Sequence, residues 1–232
     1  MSEIMTKKTL VAFSGAGISA ESGIKTFRDM GGLWEEYRVE DVATPQGWAA
    51  NPELVLDFYN QRRKQLLESK PNRAHTLLAE LENDYNVKVI TQNVDNLHER
   101  AGSTSVLHLH GELMKARSTL DSSLIYELNS WELNIGDKCE KGSQLRPHIV
   151  WFGEDVPMMT TAIEITKTAD IFCVIGTSLN VYPAANLLYY VQNNAKLFLI
   201  DPNPPQNLPK NITVIAQNAS VGMEKFVEIL NK

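Results

Sequence analysis

Short apolar runs, separated by helical patterns, constrain this chain more than any other feature. They are "TLVAFSG" (9–15), "VKVITQN" (87–93), "SVLHLHG" (105–111), "IFCVIGT" (171–177), "KLFLIDP" (196–202) and "ITVIAQ" (212–217). Most are apolar throughout and do not alternate, as expected of strands covered on both faces in a parallel sheet. Between them, 72–85, 158–169 and 183–194 read as helices, and 220–232 closes the chain as another. Strand and helix alternate, which predicts an α/β fold: a doubly wound, mostly parallel, Rossmann-like sheet. Two stretches break the alternation. Residues 28–71 hold no strand pattern and carry a helix, and 114–148 are polar, rich in Ser and Asn, and aperiodic. They are expected to form a smaller lobe inserted into a core of about 1–27, 72–113 and 149–232, all within a single domain.

Composition narrows the function. With 232 residues and 43% hydrophobic content, one sizeable core is affordable. A net charge of −6 without a basic block argues against non-specific nucleic-acid binding. The amino-terminal apolar run is too short for a signal peptide, and nothing approaches the ~18 apolar residues of a membrane span. Cys139 and Cys173 cannot build a disulfide framework. Cys173, inside a strand run, reads as a buried core thiol. A cytoplasmic monomer, with neither nucleic acid nor membrane as partner, is expected.

Polar residues follow four of the strand runs. After the first, Gly15, Gly17 and Ala20 fit G-x-G-x-x-G/A, a turn that lets backbone amides approach a pyrophosphate. The acid that a dehydrogenase carries about twenty residues on, after a second strand, is missing. After the second run stand Gln92, Asn93 and Asp95, placed to hydrogen-bond a ribose or amide; Asp95 could equally just cap the helix "NLHERA". In "LHLHGE" (107–112), His108 and His110 fall on one strand face. His110, at the strand's end beside Gly111, suits a general base, or a structural histidine. Gly176, Thr177 and Ser178 follow the fourth run, and "IDPNPP" the fifth. In "LVLDFYNQRRKQLL" (54–67), Tyr59 and Arg62 share a helix face with Val55 and Leu66, while Arg63 and Lys64 point elsewhere. An arginine in an apolar stripe either snorkels over an aromatic or holds something.

Together "GAGISAESGIKTFR", "TQNVDNLHERAG", "LHLHGE", "LRPHIVWFGE" and "GTSLNVYPAA" resemble, in order and spacing, the sirtuin family of NAD-dependent protein deacylases. The resemblance covers roughly residues 8–230. It implies that Gly15, Ala16, Gly17, Phe27 and Arg28 surround NAD, a co-substrate. Gln92, Asn93 and Asp95 would hold the nicotinamide ribose region. Gly176, Thr177, Ser178, Asp201, Asn203 and Ala219 would surround the adenosine half. His110 would be the catalytic base. The backbone at Val150, Phe152 and Gly153 would flank the acyl-lysine of a protein or peptide as an added strand. In the implied chemistry the acyl oxygen attacks C1′ of the ribose and nicotinamide leaves. The base then deprotonates a ribose hydroxyl, and free lysine and 2′-O-acyl-ADP-ribose result. "FYNQRR" resembles the Tyr-x-x-Arg pattern of the branch that removes acidic acyl groups, which implies a succinyl or malonyl pocket at Tyr59 and Arg62.

One departure stands out. The family usually carries four zinc-binding cysteines in two C-x-x-C pairs. Here "KARSTLDSS" has none, and "DKCEKGSQLRP" keeps only Cys139, with Gly142 in its partner's place. One thiolate cannot build such a site, so no structural zinc or other metal is expected. Packing through Leu120, Leu124, Ile125, Trp131 and Leu133 is expected to hold the lobe instead. The competing activities are an NAD glycohydrolase or mono-ADP-ribosyltransferase, a weak general deacetylase, and a non-catalytic NAD-binding module. The VWFGE segment argues against the transferase, and His110 against the module.

Overall fold

A computed structural model describes residues 7–24, 37–177, 179, 182–206 and 208–232. Phe27, Arg28 and Ser178 lie outside the described residues. The apolar runs form six parallel strands: β1 (Thr9–Ser14), β2 (Asn86–Thr91), β3 (Val106–His108), β7 (Ile171–Ile175), β8 (Lys196–Ile200) and β9 (Ile212–Ile215). Their order is β3-β2-β1-β7-β8-β9, so the chain reverses direction across the sheet between β1 and β7. This is the doubly wound order, and it opens a crevice at the carboxyl ends of those two strands.

The apolar runs lack alternation because both faces are covered. Leu10 and Ala12 of β1 join Cys173, Phe198 and Ile200 in one core, with Leu78, Met223 and Phe226 from helices α4 (Arg73–Glu80) and α7 (Ala219–Leu230). The intervening Val11 and Phe13 join Phe172, Val174 and Leu199 in a second core, under α6 (Met159–Lys167). Successive strand residues therefore feed opposite cores. The predicted helix at 183–194 is a shorter 3-10 segment, Ala184–Tyr190.

The stretch expected to lack periodicity contains strands. β4 (Gly111–Ser118), β5 (Ile125–Glu127) and β6 (Leu145–Ile149) form an antiparallel sheet in the order β5-β4-β6. β4 begins at Gly111, before the expected start of the insertion. A register irregularity between Gly111 and Ala116 breaks its alternation, and Glu112, Lys115 and Arg117 charge it. Lys115 Nζ lies 2.9 Å from Glu112 and 3.3 Å across the strands from Glu127.

Helices α1 (Val39–Val42), α2 (Pro45–Ala50) and α3 (Pro52–Glu68) pack against this sheet. Asn51 caps α3 by accepting the Leu54 amide at 3.0 Å, with Pro52 preset at the first position. Val55, Tyr59 and Leu66 are buried along the predicted face. Arg63, expected to point away, is also fully buried. Its guanidinium donates to the carbonyls of Trp131 (2.7 Å) and Leu113 (3.4 Å) and to Asn60 Oδ1. Burial lowers its pKa to about 10, so it stays charged at neutral pH. Carbonyls fifty or more residues away satisfy it, and a helical wheel cannot see them.

The lobe's packing also differs in part from expectation. Leu133 is buried with Leu56, Ala116, Cys139 and Leu145, and Leu124 packs against them. Leu120 and Ile125, however, are 69% and 46% exposed. Trp131 contributes its carbonyl to Arg63. At the tip, Ser118 Oγ accepts the amides of Leu120 and Asp121, both at 3.1 Å, and lies 2.8 Å from Ser143 Oγ. Ser143 Oγ is in turn 3.2 Å from Cys139 Sγ, and Lys141 pairs with Asp121 at 2.7 Å. No helix among the described residues is long and apolar enough to cross a membrane.

Candidate functional site

The crevice beyond β1 and β7 opens into a cavity of about 680 Å³. Its wall includes every predicted site residue that lies within the described residues. Gly15, Ala16, Gly17, Gln92, Asn93, Asp95, Gly176, Thr177, Asp201, Asn203 and Ala219 ring the sheet side. His110, Tyr59, Arg62, Val150, Phe152 and Gly153 complete the wall.

The glycines serve chain packing first. Gly15 donates its amide to the Ile175 carbonyl (3.0 Å) and Gly17 to the Gly176 carbonyl (2.8 Å). A Cβ on Gly17 would stand 2.7 Å from Gly176 Cα, and Gly176 holds a left-handed φ of 61°. The ends of β1 and β7 are thus sewn together without side chains. Ala16 opens a 3-10 turn (Ala16–Ile18), whose first amides have no intrahelical acceptor, and lines the cavity.

Below the crevice lies a buried polar net. The Ser19 hydroxyl donates to Asp95 Oδ2 and accepts from Asn93 Nδ2, both at 3.0 Å. Asp95 Oδ1 accepts the Leu97 amide at 3.2 Å. Asp95 therefore does what a helix cap does for α5 (Leu97–Ala101) and also lines the cavity. Burial raises its pKa, against the hydrogen bonds from Leu97 and Ser19. His75 Nδ1 accepts the Asn72 amide at 3.3 Å, so the proton sits on Nε2, 3.5 Å from Ser19 Oγ. Burial lowers the His75 pKa to about 4. His98 Nε2 lies 2.9 Å from Ser14 Oγ, whose own proton goes to Thr91. Burial pushes its pKa far down as well. Ser19, His75 and His98 carry no signal in the sequence, because their roles depend on contacts between separate motifs.

The two histidines of "LHLHGE" part company. β3 stops at His108, so His110 lies beyond the strand and does not share its face. His108 spans the Asn93 carbonyl and Glu99 Oε1, both at 2.8 Å. Burial works against its charge, but Glu99 outweighs it and the pKa rises. His110 Nδ1 donates to the Gln92 carbonyl at 3.0 Å, which leaves the Nε2 lone pair available. Burial lowers its pKa. Gly111, with φ 82°, lets the chain turn here: a Cβ would strike the His148 carbonyl.

The far side of the cavity is built from side chains. Tyr59 is 1% exposed and accepts a hydrogen bond from Trp151 Nε1 at 3.0 Å. Arg62 Cζ lies 5.7 Å from the Phe58 ring centre and 6.0 Å from that of Tyr59. Burial lowers the Arg62 pKa, with Tyr59 and Asp95 acting against that. The segment 150–154 is not a strand of either sheet: it leaves β6 and turns, with the Glu154 amide donating to the Trp151 carbonyl at 3.0 Å. Val150 donates its amide to His110 O (2.9 Å), Trp151 to Glu154 Oε2 (2.8 Å) and Phe152 to Ala43 O (3.0 Å).

The Sir2 family model matches residues 15–183. Over 229 residues the chain is 58% identical to an NAD-dependent protein deacylase of Bacteroides thetaiotaomicron, spanning 96% of this chain and 98% of that protein. It is 55% identical over 223 residues to an NAD-dependent protein deacylase of Helicobacter pylori, spanning 95% and 94%. A mutant Sir2 homologue in complex with ADP-ribose matches with a TM-score of 0.89 at 41% identity, over 97% of this chain and 92% of that one. A Sir2 homologue–NAD complex matches with a TM-score of 0.87 at 41% identity, over 97% and 90%. The chain belongs to the Sir2 family.

Proposed function

We propose that this protein is an NAD-dependent protein-lysine deacylase that removes succinyl and malonyl groups in preference to acetyl. It would release nicotinamide and 2′-O-acyl-ADP-ribose. The supporting observation is a single cavity whose wall runs from Gly15 and Gly176, past His110, to Tyr59 and Arg62. NAD occupies the sheet side, with its pyrophosphate at the Ala16 turn and its nicotinamide ribose by Gln92, Asn93 and Asp95. Thr177, Asp201, Asn203 and Ala219 take the adenosine half. The resemblance adds Phe27, Arg28 and Ser178. Val150, Phe152 and Gly153 border the acyl-lysine.

His110 has the tautomer and protonation state a base needs. Its Nδ1–H is committed to Gln92, and its lowered pKa keeps Nε2 unprotonated at neutral pH. Nε2 takes the proton from the ribose hydroxyl. Tyr59 and Arg62 receive the far carboxylate of a succinyl or malonyl group, Arg62 through a charge-assisted bond and Tyr59 through its hydroxyl. An acetyl group offers no carboxylate. The lobe is read as zinc-free: the donors at its tip are one thiol and two hydroxyls already bonded to one another.

The test compares succinyl- and acetyl-lysine peptides with NAD, reading products by mass spectrometry. Succinyl kcat/KM is expected to exceed acetyl. Arg62→Met should cost about 10- to 150-fold on succinyl, the equivalent of ~1.5–3 kcal/mol for a hydrogen bond to a charged group, and spare acetyl. A native preference for acetyl, or equal loss of both activities, rejects the acidic-acyl reading. Free ADP-ribose without an acylated product rejects the deacylase reading itself.

A further inference from the structure

A buried indole N–H usually finds an acceptor, so the bond from Trp151 to Tyr59 could be simple satisfaction of a polar atom. Three observations assign it more. First, the Tyr59 hydroxyl accepts from Trp151, and its own proton has no acceptor among the described residues. A phenol both donates and accepts. With its acceptor side engaged by a fixed donor, the remaining O–H is directed away from Trp151. Second, Tyr59 lines the cavity while almost wholly buried, so its free donor has few directions available other than into that space. Third, Trp151 is held far more firmly than a core indole requires. Glu154 Oε2 accepts its amide at 2.8 Å. Arg146 lies flat against its ring, Cζ 3.3 Å from the ring centre, and grips both oxygens of Glu154 at 2.7 and 3.1 Å. Arg117 adds a second guanidinium to Glu154 at 3.1 Å, and the Trp48 ring packs 5.8 Å away.

We propose that Trp151 is a positioning residue for acyl selectivity: clamped by Arg146 and Glu154, it orients the Tyr59 hydroxyl so that the phenol proton is presented to an acidic acyl group. The proposal rests on the acidic-acyl reading of the same cavity. It adds that the selectivity of Tyr59 depends on a residue of β6's following turn, ninety-two positions away in sequence, and not on the Tyr-x-x-Arg helix alone.

The experiment is a double-mutant cycle on the succinyl-to-acetyl ratio of kcat/KM, with kcat and KM read separately. The enzymes are wild type, Trp151→Phe, Tyr59→Phe and the double variant, with Arg62→Met as reference. Trp151→Phe keeps an aromatic ring for Arg146 and removes the N–H. If it folds poorly, benzothienylalanine at 151 replaces the N–H by sulfur in a ring of the same shape. Either change should lower the ratio by about 2- to 12-fold, the range for one neutral hydrogen bond, chiefly through the KM for succinyl peptide. The double variant should be no worse than Tyr59→Phe, because Trp151 acts through that hydroxyl. Multiplicative losses in the double variant, or an unchanged ratio in both Trp151 variants while Arg62→Met abolishes the preference, overturn the proposal and leave the acidic-acyl reading standing. A wild-type enzyme that prefers acetyl removes both together.

Discussion

The two halves of the cavity are made of different material. On the sheet side, glycine turns at Gly15–Gly17 and Gly176 stand beside polar side chains fixed by a buried net, Asn93 and Asp95 among them. On the lobe side the wall is side chain: Tyr59, Arg62 and the Trp151 behind them. On the proposed reading this side meets NAD, which every turnover shares, and its glycines cannot vary without refolding the strand ends. A side-chain wall recognises what differs between substrates, because one residue can change while α3 stays. Damage to the first half should therefore abolish all acyl activities alike, and damage to the second should redistribute them.

The largest effect should come where β1 meets β7. Gly176→Ala puts a Cβ against the backbone of Gly17 and Ile18, at a φ of 61°. Left-handed strain of about 1–3 kcal/mol, with a similar overpacking cost, should lower stability by ~2–6 kcal/mol. In whatever folded protein remains, the KM for NAD should rise and the succinyl-to-acetyl ratio should hold. A changed ratio in steady-state kinetics would show that the halves are not separable.

His110 sits at the boundary, so its loss should also be indifferent to the acyl group. His110→Ala should cut turnover roughly 10²-fold or more for succinyl and acetyl peptides alike. NAD affinity by calorimetry should survive if, as proposed, the dinucleotide is held by the glycine turns and the adenosine side. Collapse of NAD affinity would make His110 a structural residue.

The same contrast explains what could be read from the chain. The six parallel strands were legible because burial on both faces leaves uninterrupted apolar runs, and the polar clusters at their ends marked the sheet edge. β4 to β6 were not. A short sheet with one face partly wet and a register irregularity at Gly111–Ala116 has neither a clean period nor an apolar run. Arg63 was misjudged because its acceptors are main-chain carbonyls of a distant loop, which no side-chain pattern records. The polar net under Asp95 was invisible for a related reason: Ser19, His75 and His98 belong to three separate segments that only the fold brings together.

That net gives the sheet side a pH sensitivity of its own. His75 has a folded pKa of about 4, below its unfolded value of about 6.5. Between those values the unfolded chain holds a proton that the folded chain refuses, so stability falls as pH drops through 6.5 and levels off near 4. At pH 5 this amounts to about 2 kcal/mol for His75 alone. His98 acts in the same direction. His108, with its pKa raised, acts oppositely: its contribution is complete below the unfolded value and is lost as pH rises through the folded one. Urea unfolding at pH 7.5 and 5 should show His75→Gln flattening the dependence relative to wild type. An unchanged slope would place the His75 proton elsewhere.

The smallest effects belong to the tip of the lobe, and they test whether the acyl half is supported without metal. β6 carries Arg146, and Arg146 holds Trp151, so the three-stranded sheet must keep its shape for the acyl wall to keep its own. At its far end stand the Ser118–Ser143–Cys139 hydrogen bonds and the Asp121–Lys141 pair. Hydrogen bonds of this kind contribute about 0.5–1.5 kcal/mol each, and an exposed ion pair less. Ser143→Ala removes the hydroxyl common to two of them. It should lower stability by ~1–2 kcal/mol without touching the KM for NAD. If the lobe is zinc-free as proposed, a strong chelator should leave the melting temperature of the wild-type protein where it was. A clear fall in melting temperature on chelation, restored by zinc, would mean that a metal holds the lobe, and elemental analysis of the purified protein would then show stoichiometric zinc.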